Sequence, residues 1–221
     1  MKILSISVHP DDETLGCGGT LIKHKNCGDD IFWLILTDAS EKLGYSQEFV
    51  TKRQKQIKAV SQKYQFSKTY SLSLPTTKLH QVDFSEIITK ISSVIQEIQP
   101  EVIYTVNRSD IHTDHQVAAK AVMSSTKSFR NHFIKRILMY ECISETEISP
   151  PLPENIFIPQ VYSDISGFLE KKIEIMKIYE SELQESPLPR SVENMKALAR
   201  FRGSTVSVEY AEAFMLCREV F

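Results

Sequence analysis

The sequence predicts an α/β fold: a three-layer sandwich on a mostly parallel sheet. Three observations predict it. Short β-rich runs alternate with stretches of helical period along the whole chain, the pattern of strand–crossover–strand units. The run Ile31-Phe32-Trp33-Leu34-Ile35-Leu36 is apolar throughout, as a strand covered on both faces is. The 221 residues, without linker, repeat or low-complexity tract, are enough for one domain with a substantial core and a little short for two. A single domain over residues 1–221 is therefore expected.

In order along the chain, Lys2 to Val8 is a first strand that ends in His9-Pro10-Asp11-Asp12-Glu13. Gly16-Cys17-Gly18-Gly19-Thr20 leads into a helix at Leu21-Ile22-Lys23-His24, which Asn26, Gly28 and two aspartates close. The apolar run above is the second strand, and a helix follows from about Glu48 to Tyr64. Lys68 to Leu72 is a third strand. Phe84, Ile87, Ile88, Ile91, Val94, Ile95 and Ile98 then share one helical face, with Asp83 as N-cap and Glu86 three residues on. Pro100 closes that helix, and Val102 to Val106 is a fourth strand. Asp110-Ile111-His112-Thr113-Asp114-His115 follows and opens a helix from about Asp114 to Ser125. Ile137 to Tyr140 is a fifth strand. Beyond the prolines at 150, 151 and 153 come a β-like stretch at Ile156-Phe157-Ile158 and a helix from about Ser166 to Glu180. A last helix starts at the N-cap Ser191 and stops at Gly203, and Tyr210 to Val220 fits helix or strand.

If the first five strands follow the doubly wound order 3-2-1-4-5, this is a Rossmann-like sandwich. Strands one and four then lie side by side at the switch point, where ligands bind outside the carboxyl ends. Both polar clusters close those two strands, so the topology brings them together.

Composition narrows the function. With 42% hydrophobic and 24% charged residues the chain reads as a soluble globular protein. Its net charge of -2 offers no basic surplus for nucleic acid, and no Lys/Arg run suits an anionic membrane. No apolar run approaches spanning length. The opening strand is too short in its apolar part for a signal peptide and runs into charge, so a cytoplasmic protein is expected. Cys17, Cys27, Cys142 and Cys217 form no Cys-x-x-Cys pair, which argues against a cysteine metal site.

The two clusters carry the chemistry. A catalytic zinc takes three His or carboxylate ligands and keeps one position for water. His9, Asp12 and His115 would form that set, and Pro10 would stiffen the turn that presents the first two. Asp11, between two ligands, can stay off the metal and act as general base toward its water. His112 is placed to stabilise the oxyanion, and Asp114 to hold the tautomer of His112. Glu13 reads as a cap. A lone histidine is usually structural, and an Asp-Asp pair after a strand is often a turn. Here three of the six histidines fall in two clusters that each close a predicted strand, which shifts the balance to a site. The glycines after the first cluster lack the Gly-x-Gly-x-x-Gly and Gly-Lys-Ser/Thr patterns, so they read as helix–sheet packing rather than a phosphate cradle.

His9-Pro10-Asp11-Asp12-Glu13, His112-Thr113-Asp114-His115 and the ending Leu198 to Gly203 with Tyr210 to Phe214 resemble the LmbE-like, or PIG-L, family of zinc-dependent N-deacetylases. The resemblance implies the same ligand set, with Asp11 as base and His112, oriented by Asp114, at the oxyanion. It also matches Arg53 to an arginine that in relatives reaches the substrate side of the pocket; the competing reading is a solvated charge among Lys52, Lys55 and Lys58. The implied substrate is a small-molecule amino-sugar conjugate. Thr37-Asp38-Ala39-Ser40 and Leu74-Pro75-Thr76-Thr77 depart from the family pattern on loops that would rim the pocket, and Thr113 replaces a frequent proline. These departures put the substrate, not the chemistry, in question.

The expected activity is thus zinc-dependent removal of an acetyl or other small acyl group from an amino sugar, with other divalent metals such as iron(II) able to occupy the site. The alternatives are an amidase of a thiol conjugate or a deformylase on the same site, and, from another class, a non-catalytic nucleotide-binding module. Ser144 to Pro159 and the tail from Pro187 are candidates for homo-oligomer contacts or for the pocket rim.

Overall fold

The computed structural model describes residues 1–221. Seven strands form one sheet: β1 (Lys2–Ser7), β2 (Asp30–Asp38), β3 (Lys68–Pro75), β4 (Val102–Val106), β5 (Arg136–Tyr140), β6 (Val161–Asp164) and β7 (Ala211–Glu219). Their order is β3-β2-β1-β4-β5-β7-β6. The first five are parallel and take the expected doubly wound order. β7 runs antiparallel to both β5 and β6. β1 pairs β2 on one side (Ile6↔Leu34) and β4 on the other (Ile6↔Thr105), so the switch point is where the sequence puts it.

Six α-helices cover the sheet: α1 (Asp12–Asn26), α2 (Gln47–Tyr64), α3 (Phe84–Ile98), α4 (Thr113–Ser125), α5 (Leu169–Met176) and α6 (Val192–Thr205). α3 packs on α4, while α1 packs on α2 and α5, and α5 on α6. Between them lies a core of 46 buried residues, led by Trp33, Tyr64, Tyr140 and Tyr179. Asp83 caps α3 through the Ser85 and Glu86 amides, and Ile87, Ile91, Val94, Ile95 and Ile98 form its buried face. Phe84, assigned to that face, stays exposed at the first turn.

Several elements differ from expectation. α1 begins at Asp12 and absorbs the glycine run, rather than starting at Leu21. The glycines let a helix lie where side chains would collide: a Cβ on Gly16 would sit 2.0 Å from the Tyr140 ring, and one on Gly19 2.8 Å from Ile165. Ile156-Phe157-Ile158 is no strand. Pro159 has no N–H to extend a ladder there, and the pairing begins instead at Val161, opposite Phe214. α5 is shorter than the expected Ser166 to Glu180. Ser191 caps α6 as expected, through the Asn194 amide, but the helix runs past Gly203 to Thr205. Gly203 is needed because the returning chain crosses it: a Cβ would meet the carbonyls of Val208 and Glu209 at 2.8 Å. Tyr210 to Val220 resolves as strand β7.

Candidate metal centre and active site

The two polar clusters meet at the carboxyl ends of β1 and β4. Asp11 is the N-cap residue of α1 with φ 143°, a region L-residues rarely adopt. That turn folds the Asp12 carboxylate back under the end of β1, where Oδ2 accepts from the amides of Val8 (2.9 Å) and His9 (2.8 Å). Glu13, fully buried, secures the turn. Its Oε2 accepts from the Asp11 amide (3.2 Å) and Ser7 Oγ (3.3 Å), and its Oε1 from Thr14 Oγ1 (2.7 Å) and Tyr179 (2.9 Å). Burial lifts the Glu13 carboxyl to about 7.

With Oδ2 engaged, Asp12 presents Oδ1, which lies 3.5 Å from Nε2 of His115 in the first turn of α4. His115 Nδ1 is held at 2.8 Å by Asp110. Asp110 itself accepts from Asn107 Nδ2 (3.1 Å) and Thr146 Oγ1 (2.7 Å). His9 is the third residue of the candidate donor set. Its Nε2 is 3.4 Å from Asp114 Oδ2, which leaves Nδ1 on the Asp12 side, 4.0 Å from Oδ2. The Asp114 carboxylate also accepts the amides of Thr77 (2.6 Å) and Leu79 (3.0 Å) and so ties the loop after β3 to the site. Asp114 was expected to orient His112. Its carboxylate meets His9 instead, and its backbone N–H donates to His112 Nδ1 (3.1 Å). His112, the N-cap of α4, therefore carries its proton on Nε2 when neutral. Burial, then the neighbouring His9 and His115, brings its pKa down to about 4.

The donor set suits a divalent cation. One ligand atom each from His9, Asp12 and His115 falls within 4.8 Å of the others. Around tetrahedral zinc, donors at ~2.0–2.1 Å lie about 3.3 Å apart, so a small contraction closes the shell. Although burial opposes charge on His115, Asp12 and Asp110 hold its imidazole up at about 9, and the spot between the donors thus favours positive charge. His9, His112 and Asp114 also come within range of one another. That second set is spoken for: Asp114 is committed to two backbone amides, and His112 Nδ1 to a third.

Asp11 points into a cavity of about 270 Å³ beside these donors. Burial, then the adjacent Asp12, raises its pKa well above the usual carboxylate range, so this carboxylate takes up a proton more readily than an exposed one. Its nearest charged partner is Arg190, 3.5 Å from Oδ2. Arg53 is only 8% exposed, which removes the reading of a solvated helix charge. It donates to the Pro10 carbonyl (3.2 Å) and pairs with Glu182, which Arg190 also contacts at 3.1 Å. Thr37, Ala39, Thr76 and Thr77 line the same cavity, so the two departing loops do rim it. Tyr45 and Phe49, stacked 5.2 Å apart, close another side.

Sequence reasoning missed Asp110, Glu182, Arg190 and Cys142. Asp110 stood in the second cluster with no role assigned. The other three come from distant, non-periodic segments and gave no signal.

A family model described as PIG-L, GlcNAc-PI de-N-acetylase, matches residues 4–126, more than half of the chain. The chain belongs to this family. It is 23% identical to the diacetylchitobiose deacetylase of Thermococcus kodakarensis over all of this chain and 84% of that protein. Its fold matches the conserved protein TT1542 of Thermus thermophilus (TM-score 0.78, 26% identity, 99% of this chain and 96% of that one). It also matches GalB, the 4-carboxy-2-hydroxymuconate hydratase of Pseudomonas putida KT2440 (TM-score 0.73, 16% identity, 100% and 97%). A hydratase on this fold means that the reaction has to be argued from side chains rather than from architecture.

Proposed function

We propose that this PIG-L family member is a metal-dependent N-deacetylase that removes an acetyl or other small acyl group from an amino-sugar conjugate. One observation carries the reading. Three side chains able to hold a metal, His9, Asp12 and His115, converge beside a buried carboxylate, Asp11, that no strong hydrogen bond engages, and beside an imidazole, His112, whose Nδ1 accepts a backbone hydrogen bond and leaves Nε2 to carry the proton. The diacetylchitobiose deacetylase named above agrees with it.

His9, Asp12 and His115 would hold the cation, with zinc favoured by the donor types. Bound there, it supplies a Lewis acid that polarises the amide carbonyl and lowers the pKa of the attacking water. Asp11 takes the proton of that water as its oxygen bonds to the carbonyl carbon. His112 Nε2–H donates to the carbonyl oxygen as negative charge gathers on it. The C–N bond then breaks, and the proton returns to the leaving nitrogen to give a free amine and a carboxylate. Asp110 and Asp114 position His115 and His9, the outer-shell role that fixes ring orientation. Arg53, braced by Glu182, walls the substrate side of the cavity. The four cysteines are unpaired, which suits the reducing cytoplasm.

The test is primary-amine release from a panel of N-acetylated sugars by the zinc-loaded protein. Release that chelator and Asp11→Asn both abolish supports the reading. Zinc held by the protein with no amine from any sugar would remove the amino-sugar assignment and favour an amidase of another conjugate or a deformylase.

A further inference from the structure

A second cavity, about 560 Å³, lies next to the reaction cavity and takes no part in the mechanism above. Two segments separate the two and line both. From the first, Ser144 and Glu145 face the reaction cavity, Thr146 and Glu147 the second one, and Cys142 both. From the second, Arg190 faces the reaction cavity while Pro187 and Pro189 face the other. Cys142 Sγ is 3.6 Å from Asp12 Oδ1, so the shared wall stands directly behind the proposed metal donors.

The second cavity has the build of a small-molecule site, roughly 300–1,000 Å³ with apolar walls and a few polar groups. The reaction cavity, at about 270 Å³, is about half as large, and a group attached to the sugar would need room beyond it. Pro150, Pro151, Leu152, Ile156, Phe157 and Leu198 supply apolar wall. Its cation, Arg202, is consumed by a two-pronged pair with Glu141 (2.8 and 2.7 Å) and lies 5.9 Å from the Phe157 ring. The other charged wall residue, Glu147, is acidic. No unpaired cation awaits a carboxylate or phosphate.

We propose that this cavity is the subsite for an uncharged, apolar aglycone carried by the amino sugar. The sugar in that statement rests on the deacetylase reading; the aglycone rests on this cavity. Leu152 and Ile156, 48% and 50% exposed on their loop, grip it from the solvent side.

Isothermal titration calorimetry on zinc-loaded protein carrying Asp11→Asn, which prevents turnover, compares methyl, phenyl and carboxymethyl N-acetylglucosaminides. The phenyl glycoside should bind about tenfold more tightly than the methyl one, as burial of an added ring in an apolar pocket requires. The carboxymethyl glycoside should gain nothing. In the added Leu152→Asp and Ile156→Asp variants, checked for an unchanged denaturation midpoint, the phenyl-to-methyl ratio should fall toward one. Equal affinities, no heat with any glycoside, or a preference that survives both variants overturns the proposal. So does a change of sedimenting mass in Leu152→Asp with the preference intact, since the groove is then a contact between copies. Amine release by the unmutated protein is read separately: none, with the calorimetric preference present, removes the deacetylase and leaves the subsite.

Discussion

Replacing Asp110 by Asn tests the site through a residue that touches neither substrate nor metal. Three donors converge on this one buried carboxylate: His115 Nδ1 on Oδ2 (2.8 Å), and Asn107 Nδ2 and Thr146 Oγ1 on Oδ1 (3.1 and 2.7 Å). Asparagine offers a single acceptor oxygen, and its NH₂ must face a donor on the other side. If the oxygen keeps Asn107 and Thr146, His115 loses its partner; if it turns to His115, two donors are orphaned. An unmet buried donor costs about 1–3 kcal/mol, and the lost charge also lowers the basicity of His115 as a ligand. The Asp110→Asn protein should therefore lose about 1–3 kcal/mol in denaturant unfolding without metal. It should also bind zinc roughly 10–100-fold more weakly in competition with a chromophoric chelator, the usual loss when an outer-shell partner is removed. Wild-type affinity in that titration would refute the claim that Asp110 sets the His115 ring.

Asp11→Asn should keep its zinc content while amine release falls by about 10²–10⁴. Because burial beside Asp12 destabilises the Asp11 charge, the variant should unfold no earlier than the parent; equal loss of metal would contradict the base assignment. His112→Ala should lower kcat by about 10²–10³ with metal retained, as for removal of one oxyanion donor. Chelation should lower the thermal midpoint, and zinc at about a hundred times its Kd should restore ~2.7 kcal/mol; an unmoved midpoint means the donors hold no metal. Gly16→Ala drives a Cβ into the Tyr140 ring, whose hydroxyl donates to the Ile6 carbonyl (2.9 Å). Overpacking of about 1–3 kcal/mol outweighs the helix-propensity gain of ~1 kcal/mol, so it should destabilise, while Gly167→Ala, with nothing within 4 Å, should be neutral.

The central strands and the convergence of His9, Asp12 and His115 were legible because their signals are local. An unbroken apolar run such as Ile31 to Leu36 has few alternatives, and a charged cluster that closes the neighbouring strand falls at the carboxyl end of the sheet. The start of α1 was not legible. Three glycines in four residues signal a loop on propensity alone, and only their neighbours from distant parts of the chain, Tyr140 at Gly16, Tyr64 at Gly18 and Ile165 at Gly19, show why side chains are excluded there. The same limit hid Arg190 and Glu182, which reach Asp11 and Arg53 from a segment without period. At Asp114 the residue was found but its partner misjudged. Its closeness in sequence and the family resemblance pointed to His112, whereas pairing of β1 with β4 set the side chain against His9.

The shared wall between the two cavities divides labour along the chain. Every residue proposed to hold metal or to move a proton lies before Ser125, within the span that matches the family, whereas every residue of the second cavity lies between Glu141 and Arg202. The proposed chemistry and the proposed aglycone recognition thus fall on different stretches of polypeptide, which meet at Cys142, at Thr146 on Asp110, and where Glu182 and Arg190 reach back to Arg53 and Asp11. Substitutions on the second cavity's own walls, such as Leu152 and Ile156, can retune what is attached to the sugar without touching the proposed donors or the base, whereas an exchange of all of residues 141–202 would also replace Thr146, Glu182 and Arg190, which hold Asp110, Arg53 and Asp11.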